Sequence, residues 1–147
     1  MTGAVELRPM PIASTIPGPS SHCFACGSEN VNGLHLSFSQ EPDGSSRAEL
    51  VTRPDHIGWP DTIHGGILFT VMDEAVAWAL HLAGLRGVTA KADVRFRAPV
   101  GVGTRLVVTG RIGERNRKMV SARAELREAG GGKLVAELDA TMFVLEG

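Results

Sequence analysis

Two adjacent carboxylates, Asp73 and Glu74, stand in a segment, residues 64–82, that holds no other charged side chain apart from histidines. Ile67, Leu68, Phe69, Val71, Met72, Ala75, Val76, Ala77, Ala79 and Leu80 surround them. Desolvating a carboxylate is costly or raises its pKa, so an acid in this setting is either paired or poised for proton transfer. Just upstream, His64-Gly65-Gly66 sets an imidazole before two residues that let a ligand approach the backbone closely. Where such a tripeptide opens a helix, the unbonded amides of the first turn form a site for a developing oxyanion. A carboxylate and an oxyanion site are groups that could both serve a reaction at a carbonyl.

Spacing adds a condition. Gly65 and Asp73 are eight residues apart, roughly 12 Å along a helix axis at about 1.5 Å per residue. They cannot both touch one carbonyl carbon. If both serve one reaction, Gly65 of one subunit meets Asp73 of another, which a two-fold dimer supplies twice. Neighbouring helix positions diverge by about 100°, so only one of Asp73 and Glu74 can centre on such a site. The plainer alternative is that an acid here pairs with Arg95 or Arg97 and does no chemistry.

Other chemistries fit less well. No Gly-x-Ser-x-Gly elbow exists to support a Ser-His nucleophile, and Cys23 and Cys26 have no evident partner in sequence. His56 and His64 beside Asp61 lack the spacing of a metal motif, and two cysteines are too few for a four-thiolate zinc site, so no metal is expected. Cys23-Phe-Ala-Cys26-Gly27 is read as a structural turn.

The elements that must carry these residues follow from periodicity. Residues 1–21 hold Pro9, Pro11, Pro17 and Pro19 and read as an irregular arm, with one domain over residues 22–147. Leu34, Leu36 and Phe38 alternate as a first strand, and Pro42-Asp43-Gly44 turns into a second around Arg47–Val51. A loop over Pro54–Asp61 precedes the one long helix, Ile63 to about Leu82, which Gly84 and Gly87 end. Val88, Ala90, Ala92, Val94 and Phe96 then alternate with polar residues. Strands at Thr104–Ile112, Met119–Arg127 and Lys133–Leu145 follow, joined by turns at Gly113–Asn116 and Gly130–Gly132. The order predicts an α+β domain: two strands, one helix, then four strands in meander order, with an antiparallel sheet around the helix.

The chain has 147 residues, 43% hydrophobic and 21% charged, with a net charge of −1, which argues against a nucleic-acid partner. No secretory h-region opens it, and no stretch reads as a membrane span, so a cytoplasmic protein is expected.

The segments HIGWPDTIHGGILFTVMDEA, VTAKADVRFRAPV and CFACGSENVNGLHLSF together resemble the hotdog-fold acyl-CoA thioesterases of the phenylacetate-degradation (PaaI-like) type, from about Cys23 onward. In that family a His-Gly-Gly opens the central helix and the catalytic acid follows nine residues after the histidine, the spacing of His64 and Asp73. The resemblance implies thioester hydrolysis of acyl-CoA, a homodimer with a continuous sheet, often paired again into a homotetramer, and no cofactor beyond the substrate's coenzyme A. It assigns the Gly65 amide, with Gly66 as a second donor, to the thioester carbonyl, and Asp73 to nucleophile or general base. Glu74 is the second candidate for that role, His64 shapes the turn or borders the pocket, and Thr89 matches a water-orienting serine. Where some relatives carry an amide side chain, this chain has Gly58; His56, Asp61 or Glu74 would have to substitute. Arg115, Arg117 and Lys118, with Arg97 and Arg95, are candidates for the coenzyme phosphates, and His56 for substrate contact. A hotdog protein that binds acyl-CoA without hydrolysing it is the alternative, as is a purely structural domain.

Overall fold

In the computed structural model, which describes residues 19–145, six antiparallel strands wrap one helix. The strands are β1 (Ser39–Gln40), β2 (Ser46–Val51), β3 (Gly87–Phe96), β4 (Arg105–Asn116), β5 (Met119–Glu128) and β6 (Leu134–Val144), and the helix α1 is Gly65–Leu82. The expected α+β hotdog architecture is therefore present. Most of the arm expected over residues 1–21 lies outside the described residues.

Strand order departs from a simple meander. It runs β1-β2-β4-β5-β6-β3, so β3 pairs with β6 at one edge instead of with the β4 that follows it. The β3–β4 connection crosses the sheet, and β2 takes the place beside β4. Only β4, β5 and β6 form the expected meander. The turn expected over Gly113–Asn116 is strand instead. A register shift after Ile112 absorbs Gly113 and Glu114, and the reversal falls at Arg117-Lys118, where Arg117 has φ 60°.

The first predicted strand is also displaced. Leu34 and Leu36 are buried as their alternation requires, but their N–H groups bond the carbonyls of Phe24 and Ala25, not a strand, and His35 has φ 52°. Regular pairing begins only at Ser39.

One face of α1, Leu68, Val71, Met72, Ala75, Val76, Ala79 and Leu80, is buried against the sheet. Phe69, Asp73 and Ala77 lie on the other side and keep some exposure within the single chain. By length and composition α1 could cross a membrane, contrary to the expectation above, and its face against the sheet accounts for that apolarity. Helix and sheet approach closely at Gly110. A Cβ there would sit 2.5 Å from the Ala75 carbonyl oxygen, and Ser46 Oγ donates to that same oxygen at 2.7 Å. A side chain at 110 would lift the helix from β4.

Gly110→Ala should therefore cost about 1–3 kcal/mol of stability through overpacking. Gly131→Ala, at a position open to solvent with nothing within 4 Å, should stay within about 0.5 kcal/mol. Urea unfolding of the two variants beside the parent chain checks the difference.

Candidate active site

The helix begins two residues later than expected, at Gly65, because His64 caps it. His64 is extended (φ −61°, ψ 133°) and its Nδ1 accepts the Gly66 N–H at 2.8 Å. Its carbonyl takes the N–H groups of Ile67 and Leu68, and its own N–H bonds the His56 carbonyl at 2.9 Å. The first-turn donors are thus satisfied, with one exception. Among the described residues the Gly65 N–H has no acceptor. Gly66, expected as a second oxyanion donor, is already engaged by the histidine ring.

The loop before the helix is held in place by two isolated bridges, Ile57 with Ile63 and Thr62 with Gly101. Gly58, Trp59, Ile63, His64 and Gly65 line a cavity of about 410 Å³ at the helix start. Trp59 is 80% exposed at its rim. A Cβ at Gly58 would lie 3.2 Å from His64 Cδ2, so a larger residue there requires the imidazole to move. Over Gly65 lies the ring of Phe96, within 3.4–3.9 Å of where a Cβ would stand. Phe96 lies on the face of β3 that carries Ala92 and Val94, as its alternation predicts, and its ring reaches the helix start.

The start of β3 carries a bulge. β3 pairs with β6 in one register up to Thr89↔Met142 and in another from Lys91↔Thr141, leaving Ala90 unpaired. Ala92 and Val94 point inward as expected, but Val88 and Ala90 do not; Thr89 takes the inward direction instead. There its Oγ1 donates to Asp73 Oδ1 at 2.6 Å, with Met142 Sδ 3.5 Å away. Asp73 is half-buried and anchored by a hydroxyl.

Glu74 points elsewhere. Cys23 Sγ lies 3.8 Å from Glu74 Oε2, and Cys26 is beside it. Burial pushes the Cys26 thiol up to about 12, the Glu74 carboxylate adds to this, and the nearby Trp78 N–H pulls the other way. The two acids are thus sorted: Asp73 faces β3, and Glu74 faces the amino-terminal turn and neither Arg95 nor Arg97.

Several expected contacts are redistributed. His56 is buried, with Nε2 3.3 Å from Arg53 Nη2, and shapes the loop instead of meeting a ligand. Asp61, offered as a substitute for the missing amide, is exposed with φ 57°. Arg97 donates to Glu137, which also receives Arg123. Arg115, Arg117 and Lys118 occupy the exposed β4–β5 tip, and among the described residues none pairs with a carboxylate.

Residues 61–135 match the family described as the thioesterase superfamily, and the chain belongs to it. Acyl-coenzyme A thioesterase 13 of Mus musculus is 26% identical over 91 residues, 60% of this chain and 65% of that enzyme, just under two thirds of its length. The phenylacetic acid degradation protein PaaI of Thermus thermophilus, solved as a variant, superposes with a TM-score of 0.67 at 29% identity, covering 75% of this chain and 93% of that one. A hypothetical thioesterase of Streptococcus pneumoniae TIGR4, solved with coenzyme A, gives a TM-score of 0.69 at 21% identity over 74% and 84% of the two chains.

Glu137 supplies a prediction of its own. The guanidinium of Arg123 and then that of Arg97 hold its carboxyl below the ordinary 4.5, and Arg123 is held charged well above its usual range. A carboxyl depressed in the folded state stabilises above its ordinary pKa and loses that contribution as pH falls through the folded value. Glu137→Gln should thus be less stable than the parent near neutrality, and the gap should be smaller at an acid pH below the ordinary carboxyl range. Urea midpoints at the two pH values read it directly.

Proposed function

We propose that this protein hydrolyses acyl-CoA thioesters to a free acid and coenzyme A. The observation that carries the reading is the pair of groups left ready at the two ends of one stretch of helix. These are an unbonded Gly65 N–H at its start and a Thr89-anchored Asp73 carboxylate two turns on. Membership of the thioesterase superfamily and likeness to acyl-coenzyme A thioesterase 13 supply the substrate class.

The thioester carbonyl oxygen accepts the Gly65 N–H, and the helix dipole favours the negative charge that grows there. Asp73 takes a proton from water, whose oxygen attacks the carbonyl carbon; collapse of the tetrahedral adduct breaks the C–S bond, and the sulfur leaves as the thiol after taking up that proton. Direct attack by Asp73 gives an acyl anhydride that water then opens to the same products. Thr89 fixes the carboxylate in either route. Two solved variants of the S. pneumoniae thioesterase replace an aspartate and a threonine 16 residues apart, and Asp73 and Thr89 have that separation.

The roughly 12 Å of helix between Gly65 and Asp73 supports a reading in which the acting Asp73 belongs to a second subunit. β3 supports this: it is an edge strand ten residues long, with Val88 and Phe96 half exposed, and long unpaired edges are rarely left open in native proteins. Edge-to-edge pairing of two β3 strands about a two-fold axis continues the sheet and brings each Gly65 toward the other chain's helix. The cations Arg115, Arg117 and Lys118 at the exposed β4–β5 tip suit the coenzyme phosphates.

The test is thiol release from acyl-CoAs with aryl, short and long chains. Asp73→Asn should lower turnover by about 100- to 10,000-fold, and Thr89→Val by up to about 100-fold through misplacement of the carboxylate. Both should keep the parent's unfolding temperature and oligomeric state. Parent-level turnover in Asp73→Asn, or no thiol release from any substrate by the parent protein, would defeat the proposal; the latter result leaves a non-hydrolytic acyl-CoA binder.

A further inference from the structure

About 100° round α1 from Asp73, three ligand-type atoms converge that the proposed hydrolysis does not use. Cys23 Sγ, Cys26 Sγ and a carboxylate oxygen of Glu74 all lie within 4.8 Å of one another, and each residue is half-buried. The sequence offers only two thiols, three positions apart, too few for zinc; the fold adds a third donor 51 residues beyond Cys23.

Backbone hydrogen bonds and close packing hold the turn that presents the thiols. The Cys26 N–H points to Cys23 Sγ at 3.5 Å, and the Gly27 N–H bonds the Cys23 carbonyl at 2.8 Å. A Cβ on Gly27 would lie 2.4 Å from both Cys23 N and the Ser21 carbonyl oxygen, so no other residue fits that corner. Ala25 anchors the turn in the core, and Leu34 and Leu36 bond the Phe24 and Ala25 carbonyls from the far side. A backbone N–H aimed at a cysteine sulfur favours thiolate, the form that binds metal.

The surroundings accept a metal as well. The Trp78 Nε1–H is buried beside Cys26 but outside hydrogen-bond geometry, an orphaned donor next to a sulfur. A cavity of about 350 Å³ lined by Cys23, Cys26, Glu74, Trp78 and His81 leaves room for a fourth ligand. His81 meets Trp78 edge-on at 5.1 Å.

We propose that Cys23, Cys26 and Glu74 bind one Zn²⁺ per chain, with water in the fourth position. Two thiolates with one carboxylate are a donor set suited to this borderline-soft ion. Binding releases the two thiol protons to solvent and leaves the centre, two thiolates and a carboxylate around a dication, with one net negative charge. The ion ties the amino-terminal turn, which makes no sheet bonds, to α1. Because it holds Glu74, it also fixes the rotation of the helix that aims Asp73.

The test is a Co²⁺ titration of reduced, chelator-treated protein followed by absorption, with Zn²⁺ as competitor. Expected are a thiolate-to-cobalt charge-transfer band saturating at one equivalent per chain, its loss when Zn²⁺ is added, and a higher unfolding temperature with either ion. Cys26→Ser should abolish the charge-transfer band of a two-thiolate centre, and Glu74→Gln should weaken binding about tenfold or more. No charge-transfer band in the parent protein, which requires no variant to fold, would overturn the proposal. So would undiminished binding in Cys26→Ser, or a Cys23–Cys26 disulfide, seen by mass, as the only chemistry these thiols show. None of these readouts depends on acyl-CoA turnover.

Discussion

Eight residues of α-helix separate the Gly65 amide from the Asp73 carboxylate, and a helix is close to inextensible. That fixed distance governs much of the rest. The helix must be gripped along one face so that neither end moves, and the sheet does so, with Gly110 bare beneath the Ala75 carbonyl. The amide must be left free while the remaining donors of the first turn are satisfied. His64 meets this need, its ring taking Gly66 and its carbonyl taking Ile67 and Leu68. The carboxylate must be aimed, and Thr89 does that from a neighbouring strand.

The aim of Thr89 comes from an irregularity. A regular β3 would send Val88 and Ala90 inward and Thr89 out. One unpaired residue, Ala90, reverses this for the start of the strand, while Ala92 and Val94 still fill the core. At the strand's other end, beyond the bulge, Phe96 keeps the face of Ala92 and Val94 and covers Gly65. One strand therefore touches both chemical groups, through the bulge at Thr89 and through regular alternation at Phe96, and it is an open edge through which a second subunit would complete the site.

Much of this is legible in the residues alone, and the reasons are local. α1 stands out because residues 64–82 hold so few polar groups, and β4 to β6 because their alternation is regular. His64, Gly65 and Asp73 emerge from spacing, since helical rise is constant. What stays hidden is decided between distant segments. The pairing of β3 with β6 leaves no mark on either strand, and the bulge at Ala90 looks like ordinary alternation. Leu34, Leu36 and Phe38 alternate like a strand, yet Leu34 and Leu36 bond a turn about ten residues earlier. The ring orientation that removes Gly66 from the oxyanion site, the burial of His56, and the meeting of Glu74 with Cys23 are tertiary facts with no short-range signal. Arg97 reads in sequence as a partner for a helix acid or a phosphate because its actual partner, Glu137, lies 40 residues on.

The central claim is that each site is built from Gly65 of one chain and Asp73 of another, and chain complementation tests it most directly. Gly65→Pro removes the donor N–H at a first helical position that tolerates proline, and His64 already has the extended backbone a following proline needs. Two differently tagged chains, one Gly65→Pro and one Asp73→Asn, are co-expressed, and the mixed dimer is isolated for thiol-release assay. One of its two sites then holds an intact pair, so about half the parent turnover per dimer is expected, where each variant homodimer is nearly inactive. A mixed dimer no more active than the two homodimers would contradict it.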